Sequence, residues 1–177
     1  KRGHRLPVYA TEATIEMAAL ILRDSARIMA GDVARKNLKL ARAGKPPVEA
    51  LYNPEDAEDA IRMMRPVPYQ QEVEIARGIR AIWTEAGHML GSASIKLIVT
   101  EDGREKKVVF LGDLGPKSAP ILKTYEPFHT ADMVFIESTY GSRDHRPFDQ
   151  TVAEFVAAVT DAIASGGKML VPTFAVG

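Results

Sequence analysis

The chain has 177 residues, 46% of them apolar and 26% charged, with Lys+Arg and Asp+Glu balanced at 23 each. That length and composition suit one globular domain with a core, and zero formal charge excludes a wholesale basic surface for gripping nucleic acid. Four histidines and no cysteine exclude disulfides, thiolate ligands and cysteine nucleophiles, so a transition-metal site must draw on His, Asp and Glu.

The opening KRGHRLPVYAT carries a short strand, LPVYA, with no room for partners upstream. Thr11 can cap a helix starting at Glu12, along which Ile15, Ala18, Leu22 and Met29 recur at helical spacing. Gly31 to Pro47 is basic and weakly periodic, and reads as a surface helix ending in a loop. Asn53 caps the next helix, Pro54 takes its first position, and Glu55 and Asp56 suit its positive end. Ala57, Ala60, Ile61 and Met64 make its buried stripe, and Pro66 and Pro68 stop it. From Val73 the period changes: VEIA, IRAIWTEA, SIKLIVT, KKVVFLG and DMVFIE are β-rich, with a hairpin signal at Asp102-Gly103. A helix then carries Phe148, Val152, Phe155, Val156, Val159 and Ile163 on one face and closes at Gly166. GKMLVPTFAVG reads as one more buried strand and the start of a loop. The predicted class is α/β, a mixed sheet with helices on its faces. No apolar run reaches membrane-spanning length and no signal peptide opens the chain, so no membrane partner and a bacterial or archaeal cytoplasmic location are expected.

Three polar residues fall at three strand ends. His88 follows IRAIWTEA inside AGHMLGSAS, Asp113 ends KKVVFLGD in the turn GDLG, and Glu137 ends DMVFIE. Taken singly, each is more often a turn or capping residue. Together they match the carboxyl ends of strands, where ligands gather in helix-covered sheets.

GHMLGSAS, GDLG, ESTYG and VPTFAVG, in this order, resemble the β-CASP branch of the metallo-β-lactamase superfamily. RLPVYATEAT and PEDAEDAIRMMRPVPY resemble the same family's connecting segments. The resemblance implies part of an αββα sandwich running into the start of a β-CASP domain at roughly residue 142. It makes His88 the histidine of the third metal motif, a zinc ligand, and Asp113 the fourth-motif aspartate, whose carboxylate bridges two zincs. Glu137 matches the acidic residue of the first β-CASP motif, which supports a histidine acting as general acid.

The family's His-x-His-x-Asp-His is absent from these 177 residues, and His4, His129 and His145 stand in no matching context. His145 reads as a surface or substrate-side residue. The chain is therefore expected to be an internal piece, lacking the upstream metal motif and most of the β-CASP domain. The parent would be a zinc-dependent phosphodiesterase cleaving RNA, with two zincs; the piece itself would be inactive and hold none or one weak ion. A β-CASP nuclease acting on DNA, or a non-catalytic nucleic-acid-binding or scaffold member, are the alternatives. An unpaired sheet edge would favour self-association, making a homodimer possible.

Overall fold

A computed structural model describes residues 5–117, 121–174 and 176; His4, and Ala175 and Gly177 of VPTFAVG, lie outside them. The chain divides into two compact units, Lys1–Ile136 and Glu137–Gly177.

In the first unit, the Thr11 side chain accepts from the Thr14 backbone N–H at 3.2 Å and opens α1, Glu12–Arg42. The basic stretch after Gly31 is not a separate helix: α1 runs through it without a break, because the residues around that glycine are good helix formers. α1 buries Ala19 and Ala26, small side chains that let α2 (Pro54–Arg62) lie close. α2 begins with a reciprocal capping box, Asn53 accepting from the Asp56 N–H and Asp56 from the Asn53 N–H.

α2 ends at Arg62, so Met64 is not part of its buried stripe as its spacing suggests. Met64–Pro66 instead forms β2, paired parallel with β1 (Val8–Ala10). Pro66 and Pro68 each push the residue before them out of the helical region, so the backbone leaves α2 extended. The partner of β1 thus lies downstream in the chain.

Five strands make the main sheet: β3 (Glu72–Ala76), β4 (Ile79–Glu85), β5 (Ala93–Glu101), β6 (Arg104–Phe110) and β7 (Met133–Phe135). They lie in chain order, antiparallel up to β6, with β7 parallel to β6. Asp102 and Gly103, at φ 50° and 72°, form the tight turn that sets Glu101 opposite Arg104. One sheet face carries Ala81 and Trp83 opposite Leu97 and Ile95, packed with Val67, Tyr9 and Tyr69 into the core. The sheet is mixed and flanked by helices, as the α/β reading requires.

This topology fixes where the site can be. β4 and β6 both run antiparallel to β5, and β7 runs parallel to β6. Their three carboxyl ends therefore leave the sheet at one edge.

The second unit contains α3, Phe148–Ala164, whose Phe155 and Val156 are exposed. Residues 168–174 form no strand, and Leu170 is 90% exposed, contrary to the buried strand expected from GKMLVPTFAVG. A strand exists only when a neighbour takes up its backbone groups, and among the described residues none does. No helix among the described residues is long and apolar enough to cross a membrane.

Candidate metal centre

β4 delivers the chain into the loop from Ala86 to Ser92. There Ser92 Oγ accepts from the backbone N–H groups of His88 (3.1 Å) and Met89 (3.2 Å), and the Ser92 N–H donates to the Met89 carbonyl (3.0 Å). The Glu85 carboxylate takes the Gly87 N–H at 2.9 Å. His88 therefore sits on a closed turn whose backbone groups are already paired, which leaves its imidazole for other work.

A second layer of contacts holds the loop from outside. The Gly91 carbonyl accepts from two hydroxyls, Thr11 Oγ1 and Thr14 Oγ1, each at 2.7 Å, across some eighty residues of sequence. Gly91 has φ +83°, and a Cβ there would lie 2.6 Å from the Thr14 nitrogen, so the clamp closes only on glycine. The Tyr69 hydroxyl donates to the Ser92 carbonyl at 2.9 Å. Burial first, then the charge of Glu85, pushes the Tyr69 phenol above its ordinary pKa, which keeps this donor protonated.

β6 delivers Asp113 from the other side. The turn after β6 folds over the start of β5 until the Gly115 N–H reaches the Ala86 carbonyl at 2.9 Å. A Cβ at Gly115 would fall 1.6 Å from the Gly87 carbonyl oxygen, so the two loops are in direct backbone contact. The result is a converged pair: His88 Nε2 stands 3.8 Å from Asp113 Oδ2, both side chains open to solvent.

That separation is too long for a hydrogen bond. Two atoms each about 2.1 Å from one zinc ion can be at most about 4.2 Å apart, so this pair can share an ion. An imidazole nitrogen and a carboxylate oxygen are suitable donors for a divalent transition metal. Among the described residues no group of three or more His, Cys, Asp or Glu is placed to hold a metal ion, and His88 and Asp113 stand as a pair. Glu137 opens the second unit, and the turn after it is closed by the Gly141 N–H on the Ser138 carbonyl at 3.0 Å. The loop-holding residues Thr14, Tyr69 and Ser92 carry no sequence signal of that role, and Thr11 signals only a helix cap.

No family model matches the chain. A ribonuclease of Thermus thermophilus is 34% identical over 176 residues, 99% of this chain and 36% of the relative. Transcription termination factor FttA of Cenarchaeum symbiosum is 34% identical over 181 residues, all of this chain and 25% of that protein. The cleavage and polyadenylation specificity factor subunit 3 of Dictyostelium discoideum is 30% identical over 130 residues, 73% of this chain and 16% of that protein. The chain belongs to the β-CASP branch of the metallo-β-lactamase superfamily. It spans about a third or less of the length of these curated relatives. The β-CASP family works with metal ions, and the donor chemistry of His88 and Asp113 suits that requirement.

Proposed function

We propose that the protein carrying this β-CASP segment is a zinc-dependent phosphodiesterase that cleaves RNA in RNA processing. The observation that carries the reading is the 3.8 Å convergence of His88 and Asp113 at the carboxyl edge of the sheet. Relatives named as a ribonuclease and a cleavage factor subunit support RNA as the substrate. Zinc is favoured by the available donors, since imidazole and carboxylate are its usual ligands where no thiolate is present.

In this reading His88 and Asp113 would be ligands of the metal centre, one through its imidazole nitrogen and the other through its carboxylate. When bound, the ions would polarise the phosphodiester and supply a nucleophile at neutral pH. The residues of this chain do the positioning. Thr11, Thr14 and Ser92 hold the His88 loop still, and the contact of Gly115 with Ala86 sets the spacing of the two donors. Glu137 orients an acid for the leaving oxygen, and the region from about residue 142 begins the β-CASP domain.

The test uses the full-length protein, stripped with a chelator and assayed on matched RNA and DNA strands with zinc restored. Zinc-dependent cutting of RNA is expected; cutting of DNA alone would contradict the reading. Asp113→Ala should abolish cleavage and lower zinc content, because it would remove a ligand. Glu137→Ala should lose rate while keeping its zinc. Equal loss of zinc in both variants, by elemental analysis, would refute this division of labour.

A further inference from the structure

The loop between β7 and α3 stacks three side chains at the surface of the second unit. The His145 ring lies against Tyr140 with centroids 3.7 Å apart and planes 31° from parallel, and the Arg143 guanidinium carbon is 5.3 Å from the Tyr140 ring centroid. The backbone is folded back to allow this, with the Gly141 N–H on the Ser138 carbonyl and the Arg143 N–H on the Tyr140 carbonyl. All three side chains remain exposed. Of the two arginines here, Arg146 is paired with Glu154, whereas Arg143 has no carboxylate partner among the described residues.

Holding an arginine and two rings together in water costs rotamer freedom, and nothing among the described residues buries this cluster. Its chemistry is that of a surface for single-stranded nucleic acid: flat rings to stack on, and a guanidinium within reach of a phosphate. Among the described residues of the second unit no buried donor or acceptor accompanies the rings, so the surface accepts any base. We propose that Tyr140, Arg143 and His145 form a platform on which one unpaired nucleobase stacks, with Arg143 holding the adjoining phosphate. The choice of RNA as the natural strand rests on the proposed function; the stacking itself does not depend on the sugar.

The test measures binding of the full-length protein to a labelled pyrimidine oligonucleotide, as RNA and as DNA, by fluorescence anisotropy in a chelator so that nothing is cut. Tyr140→Ala and His145→Ala should each weaken binding roughly 5- to 100-fold, while Tyr140→Phe binds as the parent does. Arg143→Ala should weaken binding and reduce the slope of log affinity against log salt by about one unit. An oligonucleotide with a single abasic position in the right register should bind the parent and Tyr140→Ala equally. If the parent binds RNA and the Tyr140→Ala and His145→Ala variants, both folded by circular dichroism, bind it as tightly, the platform is wrong. If the parent binds only DNA and the variants weaken it, the platform stands and the RNA reading falls. Binding of neither strand overturns both.

Discussion

At the scale of single residues, the spacing of His88 and Asp113 depends on groups other than the pair itself. Gly115 is the strictest of them, because a methyl group there would occupy the position of the Gly87 carbonyl. Gly115→Ala in the full-length protein should separate the two loops and lower zinc content as far as loss of a ligand does. Wild-type zinc content in that variant would show that the loop contact is dispensable. Thr11 does two jobs, capping α1 and donating to the Gly91 carbonyl, whereas Thr14 shares only the second. Thr11→Val should therefore cost about 1–2 kcal/mol in urea unfolding and Thr14→Val less. The double variant should exceed the sum of the two, since only then does the Gly91 carbonyl lose its last hydroxyl. Strict additivity would mean that the two hydroxyls act independently.

At the scale of elements, much of the fold is legible because its signals are local. The Asn53 cap, the turn at Asp102-Gly103 and the β-branched runs of β4 to β6 each lie within a few residues of what they specify. β2 is not legible in this way: three residues ending in proline become a strand only because β1 lies beside them. The expected strand after α3 fails for the converse reason, having apolar residues and no neighbour among the described residues. The site is legible in part, since His88 and Asp113 fall at strand ends, yet the clamp from α1 onto Gly91 joins positions that no local pattern connects. Entry into β7 is similarly fixed by tertiary bonds. The Asp132 carboxylate accepts from the Lys107 N–H at 2.8 Å and from Lys106 Nζ at 3.3 Å, and these bonds hold its pKa below the ordinary range. A depressed carboxylate stabilises the fold above its unfolded value of about 3.9, and that contribution is lost as pH falls through the lower folded value. Asp132→Asn should flatten the acid limb of stability below about pH 4 while leaving the neutral region's slope unchanged. Identical acid limbs in urea unfolding at stepped pH would show that Asp132 does not anchor β7.

At the scale of the whole molecule, the exposed apolar surface is more than isolated side chains. Phe110 and Phe135 stack at 4.8 Å on the open face of β6 and β7, and in the second unit Phe155, Leu170 and Phe174 are exposed. Surface of this kind drives association. The 177-residue chain alone should therefore sediment as larger species with rising concentration and bind a hydrophobic dye; a monomer throughout would contradict this. The proposed metal centre rests on His88 and Asp113 as donors to a shared ion. It is tested most directly by a crystal structure of the full-length protein grown with zinc, with anomalous data collected at the zinc edge. An anomalous peak is expected within about 2.2 Å of both His88 Nε2 and an Asp113 oxygen. Zinc bound elsewhere in the protein, with neither side chain touching it, would remove both residues from the metal centre.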